Sequence, residues 1–228
     1  MSQSRPKISI VVPARNERAN LDGLLPRIRA HGDEHILVDG HSTDGTRELA
    51  ENEGFRTVVD GGRGKGDAIR TGIAAATGDI IVFMDADRSH DPDDIPRLVA
   101  PILAGEADHV SGSRMRGGSD ELHGSAPELV RLYGSTLITL AINLRFGTTL
   151  TDSQNGFRAI RRSLAVALDL RENSTTVEQE MIIKTLRLGH RLTEVPTHEF
   201  RREHGASSFD VRRVAVRYVW SCLCMLAR

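Results

Sequence analysis

The sequence predicts an α/β fold, a Rossmann-like doubly wound sheet that is mostly parallel. Three observations carry this. Short β-branched runs recur along the chain, each breaks off into polar loop residues, and a helix-length segment separates most runs from the next. Strand alternating with helix is the pattern of a parallel sheet covered on both faces, and such sheets collect ligands outside the carboxyl ends of their strands.

Lys7-Ile8-Ser9-Ile10-Val11-Val12 opens the series as a strand ended by Pro13, which cannot donate to a ladder. A helix over residues 21–30 follows, then a strand over 34–39 that ends in Asp39. Residues 46–53 form the next helix. A third strand precedes Gly61-Gly62-Arg63-Gly64-Lys65-Gly66-Asp67, and a helix over 67–76 follows it. The strand over 80–84 runs straight into Asp85-Ala86-Asp87, and a helix over 93–103 and a strand over 109–113 close this half. Such strands are apolar on both faces, as buried parallel strands are. The pattern then shifts. Gly117, Gly118 and Gly124 lead into a long apolar helix over about 128–146, a short strand around 156–160, a helix over 177–188, a strand over 191–195 closed by Pro196, and a C-terminal helix from 210 to about 227. With no internal repeat and no low-complexity linker, the shift marks a second functional half of one domain spanning 1–228.

Composition narrows the function. At 228 residues, 39% apolar and 27% charged, the chain can bury one large core. A net charge of -1 lacks the footprint of a nucleic-acid binder, so nucleic acid is not an expected partner and any anion must be gripped locally. Lys7, Lys65 and Lys184 are the only lysines among 30 basic residues. Arginine grips phosphate in a planar fork, although coding bias explains the excess equally well. Cys222 and Cys224 offer neither a disulfide framework nor a four-ligand zinc site. With no leader and no run of 18 apolar residues, a reduced, cytoplasmic setting without a transmembrane segment is expected.

The chemistry gathers at strand ends. Glu17 and Asp39 each follow a strand, where a carboxylate can accept from ribose hydroxyls or a base edge; a turn or cap role explains either equally well, and Asp44 reads as a cap outright. The Gly61 to Asp67 loop opens a helix, so its amides and Lys65 can face an anion, although it lacks Walker A spacing. A flexible surface loop is the plainer alternative. Asp85 and Asp87 form the most specific feature, two hard-oxygen donors at a strand terminus that suit Mg²⁺ or Mn²⁺, with substrate phosphates and water completing the shell. The competing explanation is a solvated acidic loop running on into Asp91, Asp93 and Asp94.

Taken in order, Pro-Ala-Arg-Asn-Glu from Pro13, Val-Asp-Gly-His-Ser-Thr-Asp-Gly-Thr from Val38, Gly-Lys-Gly-Asp-Ala from Gly64 and Met-Asp-Ala-Asp-Arg-Ser-His from Met84 resemble glycosyltransferase family 2 and its glycosyltransferase A fold. Within it, the dolichol-phosphate mannose synthase-like, polyprenyl-phosphate branch is the most similar. Gly112-Ser113-Arg114, Arg131 with Ser135, Thr151-Asp152-Ser153-Gln154-Asn155-Gly156-Phe157-Arg158, Glu194-Val195-Pro196, and Arg202 ahead of Gly205-Ala206-Ser207 extend the resemblance over residues 8 to about 208. It implies a nucleotide-sugar-binding half over 1–113, an acceptor half over 114–208 and a C-terminal amphipathic helix over 209–228. Pro13, Ala14, Glu17 and Asp39 would hold the nucleoside, with Lys65, Asp67, Asp85 and Ala86 completing the nucleotide site. Asp85, Asp87 and Ser89 would hold Mg²⁺ or Mn²⁺. Arg114, Arg131 and Ser135 would receive the acceptor phosphate, and Arg202 a phosphate of donor or acceptor; Asp87, Asp152, Arg114 and Arg202 form the implied catalytic set. Two positions depart from the pattern: Gly40 stands where a second Asp is usual, and Arg88 replaces an apolar residue, which could alter the charge of the metal site.

The implied reaction is inverting transfer of a hexose from GDP-mannose or a UDP-sugar, through an oxocarbenium-like transition state. A lipid-phosphate acceptor is already anionic and needs no base. A small-molecule hydroxyl acceptor needs one, and Asp152 is then the candidate, although a turn role also explains it. Glu178 and Glu180 are weaker candidates, since a helix dipole accounts for acids in a first turn. In the C-terminal helix, Val211, Val214, Ala215, Tyr218, Cys222 and Met225 form an apolar stripe apart from Arg213 and Arg217. A membrane surface, a second copy in a homodimer or the domain's own surface are the expected covers. His41, His90, His198 and His204 have no metal-demanding spacing; of these only His90, beside Asp87, is placed for a diphosphate or metal contact. The rival readings are the same donor chemistry on a soluble hydroxyl acceptor and a non-catalytic nucleotide-sugar-binding module. A nucleotidyltransferase fits less well, because its glycine loop should follow the first strand.

Overall fold

The computed structural model describes residues 5–121, 126–202, 221–222 and 224–226, with backbone alone over 126–131. Among these, seven strands form one sheet: β1 Ile8–Ala14, β2 Glu34–Asp39, β3 Arg56–Val59, β4 Ile80–Phe83, β5 His109–Ser113, β6 Arg158–Arg161 and β7 Leu192–Pro196, in the spatial order β3-β2-β1-β4-β6-β5-β7. β1, β2, β3 and β4 pair in parallel, as do β5 and β7, while β6 lies antiparallel between β4 and β5, with Ala159 opposite both Val82 and Val110. The reversed strand has a consequence for the site. The carboxyl ends of β1, β2, β4 and β5 and the amino end of β6 share one rim, so the 152–157 segment faces the Asp85 motif.

The two-residue period of the strands divides the core. Ile10, Val12, Leu37 and Val82 face α1 Arg18–Leu21, α2 Leu24–Arg29 and α5 Ile95–Leu103, which bring Leu21, Leu25, Leu98 and Ile102. Val11, Ile36, Val38, Ile81 and Phe83 face α4 Lys65–Ala75, α8 Arg162–Ala167 and α9 Val177–Arg187. A third cluster joins α7 Ala126–Phe146 to α9 through Ile138, Ile142 and Ile182. Cys222, Met225 and Leu226 pack into it, so the described end of the expected C-terminal helix rests on its own domain. Val211, Val214, Ala215, Tyr218, Arg213 and Arg217 lie outside the described residues.

Several elements differ from their expected bounds for visible reasons. The helix expected over 21–30 starts at Arg18 and breaks at Gly23, whose φ of 74° is the left-handed conformation that glycine adopts without a Cβ penalty. Arg88 seals the break: its Nε donates to Asn20 O at 2.6 Å and its Nη2 to Asp22 O, satisfying carbonyls at the end of α1. Arg88 is thereby tied to the end of α1. Downstream of β2, α3 Thr46–Asn52 has Gly45 as its N-cap, and Asp44 serves the turn before it, its Oδ1 accepting from Thr46 N at 3.0 Å. Ser113 begins the short α6 Arg114–Gly117 by accepting from Arg116 N at 3.3 Å.

Candidate active site

Two clefts open along the rim and share one wall. The first, about 580 Å³, is lined by Pro13, Ala14, Glu17 and Gly40 from the ends of β1 and β2, with Lys65 and Asp85 at its floor. The second, about 100 Å³, holds Lys65 and Asp85 again, together with Ser89, Arg114, Ser135, Glu178, Glu199 and Arg202. Lys65 and Asp85 are thus the junction.

At that junction Lys65 Nζ lies 2.7 Å from Asp85 Oδ1 and 2.8 Å from Glu178 Oε1. Burial opposes its charge, but the two carboxylates hold the ammonium well above its ordinary pKa. Burial likewise penalises ionised Asp85, and Lys65 with His90 more than offsets it, leaving the carboxyl below its usual range. Gly156 makes this approach possible: a Cβ there would stand 2.5 Å from Asp85 Oδ2 and 2.9 Å from Lys65 Nζ. Two residues on, Asp87 Oδ1 accepts from Ser89 N at 3.1 Å and Ser89 Oγ at 2.6 Å, while Arg202 Nε sits 2.9 Å from Oδ2. Ser89 is buried and meets the expected metal position through Asp87. Glu17 is half-buried; burial pushes its pKa up, against the 2.6 Å bond it accepts from Asn20 Nδ2. His90 stacks on Phe157 at 5.0 Å between centroids, and burial pushes its pKa down.

The carboxylate pair fits a divalent cation by donor chemistry. Among the described residues no group of three His, Cys, Asp or Glu side chains could form a closed protein site. Asp85 and Asp87 supply two hard oxygens, which leaves positions for water and phosphate, as Mg²⁺ sites usually do.

Not every expected residue reaches a cleft. Asp67 is buried under Arg63 and Arg70, and its hydrogen bonds to Arg63, foremost, lower its pKa to about 2. Asp39 is buried behind Gly40 and accepts from Ser42 N at 3.2 Å. Ala86 turns its methyl into the core. The loop amides expected to cradle an anion are spent internally: Gly62 N donates to Asp60 Oδ1 at 2.7 Å and Gly66 N to Asn173 O at 3.0 Å. The cation of the loop, Lys65, is what faces the cleft. The candidate base is held in an ion pair. Asp152 is buried in a bidentate pair with Arg114, Nε to Oδ2 at 2.6 Å and Nη2 to Oδ1 at 2.9 Å, and Gln154 N donates to Oδ1 at 3.1 Å. Burial raises its pKa, yet Arg114 brings it below the ordinary value, so it is a poor proton acceptor. The side chain of Arg131, the whole of His204 and the 205–207 motif lie outside the described residues.

The structure also adds acids that the sequence left in the background. Glu178 joins Lys65, and Glu199 accepts from Arg114 Nη1 at 3.1 Å and from Ser119 Oγ. Glu194 clamps the Asp152 loop, accepting from Asp152 N at 2.8 Å and Thr151 Oγ1 at 2.7 Å. Glu180 caps a turn through Arg171 N at 2.9 Å. In the structure the 177–183 stretch is buried, so its two glutamates and its glutamine need partners, a demand that the sequence alone does not show.

A mixed sheet of this order, with an acidic pair at the end of its central β4 strand, is the architecture of glycosyltransferase A-fold enzymes. The family model described as Glycosyl transferase family 2 matches residues 9–168, and the chain belongs to that family. It is 31% identical over 203 residues to the glycosyltransferase AglJ of Haloferax volcanii, covering 88% of this chain and 65% of the relative. It is 32% identical over 221 residues to the undecaprenyl-phosphate 4-deoxy-4-formamido-L-arabinose transferase of Pseudomonas fluorescens, covering 91% and 61%. The chain thus spans less than two thirds of either relative. Among solved structures, glucosyl-3-phosphoglycerate synthase from Mycobacterium tuberculosis, in complex with Mn²⁺, UDP and glucosyl-3-phosphoglycerate, superposes with a TM-score of 0.74 at 28% identity, covering 97% of this chain and 80% of that one.

Proposed function

We propose that this chain carries out metal-dependent, inverting transfer of a hexose from a nucleoside-diphosphate sugar, GDP-mannose or a UDP-sugar, to a polyprenyl phosphate. The observation that carries the acceptor class is the charge state of the second cleft. Each of its acids is already paired to a cation of this chain: Asp85 and Glu178 to Lys65, and Glu199 to Arg114. With Asp152 locked on Arg114, a hydroxyl acceptor meets no unpaired carboxylate among the described residues of this cleft, whereas an anionic phosphate oxygen needs no base. We keep the division into a donor half over 1–113 and an acceptor half over 114–208 as part of this proposal, with Lys65, Asp85, Ser89 and His90 of the first half also lining the second cleft.

A surface feature supports a lipid. On α7, Tyr133, Leu137, Leu140 and Leu144 are 50% to 78% exposed at helical spacing, and Leu132 and Ser135 on the same helix line the second cleft. A tail leaving the cleft meets an apolar stripe, which suits a peripheral contact at the inner membrane face. No helix among the described residues is long and apolar enough to cross a membrane.

In this reading the nucleoside lies against Pro13, Ala14 and Glu17, and Asp85 and Asp87 hold Mg²⁺ or Mn²⁺. The metal supplies charge neutralisation for the diphosphate. The acceptor phosphate oxygen attacks the anomeric carbon from the side opposite the diphosphate. As that bond forms, the bond from the anomeric carbon to the β-phosphate oxygen breaks and its electron pair leaves on the nucleoside diphosphate. No proton is transferred. Lys65 faces the leaving group, and Arg114 orients the incoming phosphate.

A second reading, a small soluble phosphorylated acceptor, draws on the phosphoglycerate product named for the solved relative. Radiolabelled GDP-mannose and UDP-glucose, supplied with Mn²⁺ and either undecaprenyl phosphate or 3-phosphoglycerate, separate the two. Label in the lipid phase, absent with Asp87→Ala, is the expected result; label in soluble product alone supports the second reading, and no transfer from any donor contradicts both.

A further inference from the structure

We propose that Lys65 and Arg202 are built-in counter-ions of the Asp85 and Asp87 pair, displaced when a divalent cation enters and passed to the donor's diphosphate, so that metal and nucleotide bind as a unit. The inference rests on the donor-site reading above.

The arrangement is specific. Lys65 sits on Asp85 at 2.7 Å and Arg202 on Asp87 at 2.9 Å, so each carboxylate of the pair carries its own cation. A dication bound between the same carboxylates repels both and competes for their oxygens. Metal alone therefore binds against the loss of two ion pairs. A diphosphate changes the balance, because its oxygens can take up the two cations that the metal has displaced: an ammonium as a point charge, a guanidinium through its fork. Lys65 is placed for this exchange because it lines both clefts.

Glu178 gives Lys65 somewhere to stay. It is buried, holds the ammonium through Oε1 at 2.8 Å, and its Oε2 has no hydrogen-bond partner among the described residues. When Asp85 is taken, Lys65 remains anchored on Glu178 at the junction instead of swinging into solvent. Glu178 is thus a positioning residue, acting through Lys65. Coupling of this kind is reciprocal: if nucleotide strengthens metal binding, metal strengthens nucleotide binding by the same factor.

The test is Mn²⁺ binding by the whole chain, read from the paramagnetic resonance signal of free Mn²⁺, with and without GDP or UDP. The expected wild-type result is weak Mn²⁺ binding alone, tightened about 5-fold or more by the preferred nucleotide. Lys65→Met and Arg202→Met should bind Mn²⁺ alone more tightly than wild type, yet bind nucleotide with Mn²⁺ more weakly. Glu178→Gln, which leaves Lys65 on Asp85 without a second anchor, should bind Mn²⁺ alone more weakly than wild type. Loss of fold weakens every ligand, so tighter Mn²⁺ binding together with weaker nucleotide binding separates counter-ion exchange from damage, and because Lys65 and Arg202 are tested separately, one cation variant serves if the other fails to fold. Mn²⁺ affinity unchanged or lowered in the cation variants contradicts the proposal. Nucleotide binding to no form of the protein sinks the donor-site reading instead, and the Mn²⁺-alone comparison still decides the counter-ion role.

Discussion

Asp152 and Arg114 meet through two parallel N–H···O bonds in a buried setting, with Glu199 on the far side of the guanidinium at 3.1 Å. Removing one charge from such a pair leaves the other buried and half-compensated, which costs about 3 kcal/mol or more. Asp152→Asn is therefore expected to lower the denaturant midpoint markedly. A variant of normal stability whose turnover is lost at every pH would instead make Asp152 a base. His109 gives a second residue-scale expectation. It is fully buried, its Nδ1 lies 3.0 Å from Thr185 Oγ1, and burial, aided by the Arg158 charge, holds its pKa well below the ordinary 6.5. The folded state thus favours neutral imidazole, and the stability it contributes is present above pH 6.5 and lost as pH falls below it. Melting temperature should fall from pH 7 to pH 5 more steeply in wild type than in His109→Leu; equal slopes would contradict this. At this scale the sequence displayed Asp85, Asp87 and Glu17, because each directly follows a strand. Glu178 was legible only as a weaker base candidate and Glu199 not at all, since their partners Lys65 and Arg114 are distant in the chain and only the fold joins them.

Strand β6 decides what faces the metal motif, because its antiparallel course turns the 152–157 loop toward Asp85. Direction is not encoded in the period of a four-residue strand, so the sequence located β6 without orienting it. Gly156 in that loop touches the junction. Gly156→Ala should leave the melting temperature within a few degrees while abolishing Mn²⁺-dependent nucleotide binding, since its Cβ stands 2.5 Å from Asp85 Oδ2. Unchanged binding would show that Asp85 and Lys65 are free to move aside. Helix α7 carries the other element-scale expectation. Its length was visible as an apolar run; its outward stripe was not, because only packing on α9 shows which face is left over. Replacing Leu137, Leu140 and Leu144 with Ser should weaken co-sedimentation with anionic vesicles about tenfold or more. Vesicle binding equal to wild type would move the membrane contact elsewhere.

Across the whole molecule, a near-neutral chain brings two charged clefts together at one rim, where they meet on Lys65 and Asp85. Most strands and helices were readable from period and punctuation. Strand order, the break at Gly23 and the ion-pair network were not, because they depend on contacts between residues far apart in sequence. The family places a glycosyltransferase domain here, and the central claim is that its Asp85 and Asp87 motif binds nucleoside diphosphate through a divalent metal. Isothermal titration of GDP and UDP with and without Mn²⁺, repeated on Asp87→Ala, tests that claim most directly. The account predicts metal-dependent binding of one nucleotide that is lost in the variant; binding of neither, or binding indifferent to both Mn²⁺ and Asp87, would contradict it.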